Sequence, residues 1–412
     1  MTFDTLWRDT ARETFAAPPL DRDLTVDLAV IGGGFTGCAA ALEAARRGAS
    51  VCLLEAETIG HGGSGRNVGL VNAGLWLPPD TVRAQMGDAA GNRLIAVLAQ
   101  APARVFDLIA REGIECEATR AGTLHLAHSA KGLADLRERH RQGRAIGAPL
   151  DLLDAGETAR RTGSAAFHGA LFDPRAGTIQ PLSYARGLAR AAAQAGAAVQ
   201  ERSPVRSVTR DGSDWVIHAK GHTVRARRLL VATNAYHLGI GPAFRPAFVP
   251  VHYCQYATAP LPQALRDSIL PGGEGCWDTA MVMSSVRMDR AGRLIIGGIG
   301  NGDGPGAGVH AKWAARKLGA LYPALRGAGL THGWTGRIAM TSDHIPKIVG
   351  FGPDAYACYG YSGRGIGPGT VFGTETARAL LDGTAETLPV TPVAGHSETA
   401  AAVQAAWYEA GA

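Results

Sequence analysis

No uncharged apolar run in the 412 residues approaches the ~18 needed to cross a bilayer as a helix. Residues 1–14 carry charges and no apolar core of the kind a secretory leader needs. The six cysteines, Cys38, Cys52, Cys116, Cys254, Cys276 and Cys358, are scattered with no C-x-x-C spacing. Reduced thiols and a cytoplasmic location are therefore expected, and neither a metal centre nor a dithiol redox pair. The net charge of +5 comes from dispersed arginine, without a basic stripe interleaved with aromatics. The densest patch, residues 137–144, reads as the solvated face of a helix, so no nucleic-acid partner is expected. Low-complexity tracts and internal repeats are absent too.

What the chain does have is glycine, 55 residues of it, and one cluster has a specific pattern. Residues 26–31 form an apolar run, 32–37 read G-G-G-F-T-G, and 36–47 are alanine-rich without proline. That is a buried strand, a tight turn and a helix. In such a turn Gly32 permits the bend, Gly34 lets the backbone approach a diphosphate, and Gly37 lets the helix pack on the strand; Phe35 and Thr36 open the helix. A second short strand, 50–54, ends at Glu55, placed to accept hydrogen bonds from ribose hydroxyls, with Ala56 beside it. The unit predicts a dinucleotide whose pyrophosphate lies on a helix N-terminus.

The following segment, 59–71, is I-G-H-G-G-S-G-R-N-V-G-L-V, rich in glycine and small polar residues and too irregular for helix or strand. Such a loop can run beside a bulky ligand, offering backbone amides, the Ser64 hydroxyl and the Arg66 guanidinium to it. Its Gly60, Gly62, Ser64, Gly65, Arg66, Asn67 and Gly69 match G-x-G-x-S-G-R-N-x-G. On these residues the chain resembles the FAD-dependent oxidoreductases of the D-amino-acid oxidase superfamily, in the branch typified by gamma-glutamylputrescine oxidase. The resemblance runs over nearly the whole length. It implies that this stretch, through Leu70, wraps the flavin and its diphosphate.

Three further segments follow in the family's order. V-A-T-N-A-Y at 231–236 ends an apolar strand, and Ala232, Thr233 and Asn234 are implied to approach the cofactor. Val205 stands where such proteins touch the adenine through their backbone. D-P-R-A-G-T-I-Q-P at 173–181 corresponds to the link into a helix leading back to the cofactor domain. Last, Y-G-Y-S-G-R-G-I-G-P-G-T at 359–370 precedes a helix expected to run to about Asp382 and stop at Gly383. Gly363, Arg364, Gly365 and Ile366 are expected against the flavin ring, where a helix N-terminus would stabilise negative charge on the reduced flavin. A second glycine run, 297–304, has the wrong spacing and is followed by Pro305, so NAD(P)H is not expected as reductant. Relatives that hold flavin through cysteine carry it near 334–346, where Met340 and its neighbours offer none, and the position of His61 does not match relatives with a histidyl link. FAD is expected to be bound noncovalently.

The fold class expected is α/β plus α+β: a Rossmann-like FAD-binding domain and a discontinuous second domain built on a mixed β-sheet. The boundaries drawn are 1–80, 165–235 and 335–412 for FAD, and 81–164 and 236–334 for substrate. The runs 248–257 and 277–288 are strand-like, with turns at 271–272 and 291–292.

The resemblance implies oxidation of a C–N bond in an amine or amino compound, hydride passing to flavin N5 and an imine leaving to hydrolyse, with O2 or a carrier as electron acceptor. Orientation of the C–H bond matters more here than a dedicated acid or base, so no catalytic side chain is singled out. Trp76, His252, Tyr253, Trp277, Arg287 and Tyr359 are the candidates to line a substrate cavity. Where the glycine-oxidase branch has an arginine for the substrate carboxylate, this chain has Ile338, which disfavours a small α-amino acid. The alternative is an FAD-bearing subunit of a multisubunit amine or amino-acid dehydrogenase, its flavin relaying electrons.

Overall fold

The computed structural model describes residues 4–241, 243–304 and 306–411; Pro305, cited above beside the second glycine run, lies outside them. Two eight-stranded sheets carry the molecule, with a two-stranded ribbon, Leu70–Val71 and Gly177–Thr178, beside them.

In the first sheet Leu24–Ile31 lies between Val51–Leu54 and His222–Val231, parallel to both. Ala198–Gln200 extends one side, and Ala355–Tyr359 with Lys347–Gly352 the other. Where the three central strands lie side by side, at residues 28–31, 51–54 and 229–231, they are apolar and buried on both faces, as buried parallel strands must be. Leu28 and Val30 face the cluster formed with the helices Phe35–Arg46, Pro181–Gln194 and Ile366–Asp382, while Ala29 and Ile31 face a second cluster with Trp215, Ile217 and Tyr359. The register aligns Ile31 with Leu54 and with Val231. Gly32, Glu55 and Ala232 therefore emerge together at the carboxyl edge of the sheet, where open α/β sheets bind ligands. The late helix ends at Asp382, capped by Gly383 at φ 68°.

The second sheet runs Leu330–Met340, Val249–Thr258, Leu294–Ile299, Ser284–Met288, Gly275–Asp278, Thr123–Leu126, Ala170–Asp173 and Asp151–Leu153. The run 277–288 is thus two strands joined by a turn. Strand alternation splits the faces. Cys254, Tyr256 and Ile296 pack under the helix Ala307–Leu321, whereas Tyr253 and Gln255 turn the opposite way. Ala170–Asp173 and residues 335–340, both assigned from sequence to the FAD-binding domain, pair within this second sheet. Residues 81–112 form helices whose Val82, Leu94, Leu98 and Val105 join the core of the first sheet's helices.

Candidate cofactor and substrate site

One cavity of ≈ 620 Å³ lies between the carboxyl edge of the first sheet and the Tyr253 face of the second. That volume falls within the ~300–1,000 Å³ range of cofactor and ligand sites. Two helix beginnings open into it, Gly34, Phe35 and Thr36 from the early helix and Gly365 and Ile366 from the late one. Their first-turn amides have no acceptor within the helix, so both ends present partial positive charge to the cavity.

The two helices meet because small residues line the seam. A Cβ on Gly373 would collide with the backbone of Thr36, and one on Gly369 would crowd the Thr36 hydroxyl. A Cβ on Gly37 would likewise strike the carbonyl oxygen of Gly32. Gly37 is therefore a packing residue and does not reach the cavity wall.

The loop after Glu55 is shaped by its own side chains. Asn67 donates from Nδ2 to the carbonyls of Gly63 and Ser64, 2.9 and 3.0 Å, and accepts the Gly69 amide at 2.8 Å. The Ser64 hydroxyl accepts the Phe35 amide at 3.0 Å. Arg66 turns away from the cavity: its guanidinium donates to the His61 and Thr335 carbonyls, stapling the loop to the second sheet. Gly65 and Gly69 pack against Leu182 and Ile179, also off the cavity wall. Trp7, from the short helix Leu6–Thr10, donates its indole N–H to the Asn67 carbonyl at 2.8 Å and holds the loop from outside.

The remaining expected cofactor residues do line the cavity: Gly32, Glu55, Ala56, Gly62, Leu70, Val205, Ala232, Thr233, Asn234, Gly363 and Arg364. Glu55 accepts the amides of Gly33 and Glu57, 2.7 and 2.9 Å. Burial nonetheless lifts its carboxyl above the ordinary value, against the pull of those two bonds. These residues suit FAD. A Cβ on Gly365 would point into open space, and the cavity joins a carboxylate at one strand end to a helix N-terminus on the late loop.

Of the substrate candidates, Trp76, Tyr253 and Trp277 line the cavity. His252, Arg287 and Tyr359 do not. His252 precedes Tyr253 on the strand and takes the other face, as neighbouring strand residues do. Arg287 is 2% exposed and donates to the Ile179 carbonyl at 2.5 Å, its guanidinium lying 5.5 Å from the Trp7 ring. Tyr359 is held in the other core cluster, beside Phe244. Alternation and long-range packing decide these three, and neither is visible in composition.

Several wall residues lay outside the sequence expectations: Gly33, His61, Asn72, His125, Tyr236 and Tyr361 among them. Gly33, His61, Tyr236 and Tyr361 sit inside motifs already singled out, so the motif was the available signal. His125 lies in the four-residue strand Thr123–Leu126, too short to draw attention by pattern. It stacks on Trp277 at 5.0 Å, and burial, then the cations of Arg139 and Arg364, hold its pKa well below the ordinary value. The Tyr253 phenol, buried without a hydrogen-bond partner among the described residues, has its pKa pushed well up by burial.

A sequence profile of the DAO family, described as FAD dependent oxidoreductase, matches residues 27–379. Gamma-glutamylputrescine oxidoreductase of Escherichia coli is 32% identical over 371 residues, covering 89% of this chain and 86% of that one. A probable oxidoreductase, OrdL, of Haemophilus influenzae is 29% identical over 383 residues, covering 90% and 87%. Among solved structures, glycine oxidase from Geobacillus kaustophilus superposes with a TM-score of 0.70 at 24% identity, covering 88% of this chain and 95% of that one. No helix among the described residues is long and apolar enough to cross a membrane.

Proposed function

The chain belongs to the DAO family of FAD-dependent oxidoreductases, and from that premise we propose that it oxidises a C–N bond in an amine or longer amino compound. Bound FAD would supply the hydride acceptor, and the imine released would hydrolyse in water. The single observation carrying this reading is the one cavity on which both helix beginnings and an aromatic sheet wall converge.

The chain's own residues would bind and orient. Glu55 and the first turn of Phe35–Arg46 would hold the nucleotide end noncovalently, since none of the six cysteines lines the cavity. The first turn of Ile366–Asp382 would place positive potential where negative charge gathers on hydride arrival. Tyr253, Trp76 and Trp277 would exclude water and fix the C–H bond. Ile338, on the wall, offers no charge to an α-carboxylate, which supports a substrate longer than glycine.

Anaerobic mixing of the purified flavoprotein with a panel of amines and amino acids tests the reading. Bleaching of the flavin absorption by a longer amine is expected, and little by glycine or sarcosine. Bleaching by none would overturn it in favour of a relay subunit within a larger dehydrogenase.

A further inference from the structure

A smaller chamber of ≈ 130 Å³ adjoins the main cavity, and Asn72, His125, Arg139, Trp277 and Arg364 border both. The wall they form holds a guanidinium, that of Arg364, which has no carboxylate in direct contact among the described residues. Arg364 follows Gly363, which is at φ 89°. Its guanidinium sits between the rings of Trp76 and Trp277, at 5.0 and 5.2 Å. Of its five N–H donors, one is bonded among the described residues, Nη1 to the Ala73 carbonyl at 2.8 Å. Among the described residues its Nε is buried with no acceptor, and so is the indole Nε1 of Trp277.

Neighbouring charges cancel in pairs. Arg139 meets Asp135 at 2.8 Å and Arg175 meets Asp173 at 2.7 Å. His125, held well below its ordinary pKa, adds no charge near neutrality. Arg364 has no ion-pair partner among the described residues; Asp173, itself bound to Arg175, draws on it only at longer range, and Arg139 repels it. Burial pushes its pKa down to about 9, so it remains a cation at neutral pH. An unpaired guanidinium in a buried wall is costly unless an anion completes it. Clamped between two rings, its planar fork is already oriented for a carboxylate.

We propose that Arg364, with the Trp277 indole N–H beside it, receives a carboxylate of the substrate, so that the compound oxidised is an amino acid in the broad sense and not a simple polyamine. A second ammonium in place of that carboxylate would be repelled. The inference rests on the amine-oxidising reading above and narrows its substrate class.

The test uses the full-length holoenzyme and anaerobic flavin reduction by ω-amino acids, glycine to 6-aminohexanoate, each beside its methyl ester. The half-saturating concentration of the ester is expected to exceed that of the matching carboxylate about 100-fold. In R364Q that ratio falls to near one, while R364K, which keeps the charge but not the fork, restores part of it. Equal half-saturation of esters and carboxylates in the wild type overturns the proposal. So does an R364Q variant that loses FAD and slows both series alike, since the arginine would then serve the cofactor. In parallel, butyrate is titrated into the oxidised holoenzyme and the flavin absorption followed. A saturable change in the wild type, lost in R364Q, is expected even if no amine reduces the flavin. That combination would sink the amine reading and leave the carboxylate site standing, whereas no change with butyrate sinks the site.

Discussion

The hydroxyl of Thr36 and the phenol of Tyr361 lie 2.9 Å apart in a buried hydrogen bond, although 325 positions separate them in the chain. The bond ties the first turn of the early helix to the loop that begins the late one. Tyr361→Phe removes it and leaves the Thr36 hydroxyl buried without that partner. A loss of about 1–2 kcal/mol of stability is expected, with weaker retention of FAD. Thermal melts and flavin retention on dilution measure both, and a variant matching wild type in each would show the tie to be idle.

Glu55 gives a dependence on pH in the protein freed of flavin. Burial holds its carboxyl above the ordinary value of 4.5, so the folded chain binds the proton more tightly than the unfolded one. The stability this group contributes is full below about pH 4.5 and is lost as pH rises through the raised value. Glu55→Gln cannot titrate. Its apoprotein should melt above wild type at pH 8 and alongside it at pH 4, and FAD affinity should fall in the same variant. A constant gap across that range would contradict the argument.

Arg287 is expected to matter for folding and not for substrate choice. Replacing it by methionine strips the Ile179 carbonyl of its donor and removes the cation packed against Trp7. The expected cost is about 2–3 kcal/mol in a denaturant titration. The half-saturating concentration for whichever amine reduces the flavin should stay within twofold. A tenfold rise without loss of stability would return Arg287 to the substrate wall.

Flavin should part from the protein on acid precipitation. His61 lines the cavity, and burial, then the nearby Arg66 cation, lower its pKa. Yellow colour in the supernatant is the expected result; colour kept in the pellet would mean a covalent link, with His61 the first residue to replace.

Much of the nucleotide half was legible because its signals are local. The strand, turn, helix and Glu55 fall within some thirty residues, and Gly383 ends the late helix where the pattern placed it. Substrate-side residues were harder. Which face of its strand Tyr253 takes follows from pairing with Gly336, more than eighty positions away. Arg66 and Arg287 look alike in sequence to any ligand-gripping arginine, yet each is consumed by backbone carbonyls supplied by distant segments. Arg364 was marked by its motif, but its want of an ion-pair partner among the described residues shows only in the structure.

The first sheet weaves residues from 24 to 359 into neighbouring positions. A chain emerging from the ribosome therefore cannot assemble the floor of this cavity until nearly all of it has been made. Contacts so remote in sequence slow folding, because long loops must close before any of them rewards the closure. Shortened products lacking the last seventy residues would lack two sheet strands and one of the two helix mouths. Flavin incorporation would thus report that synthesis had run close to completion.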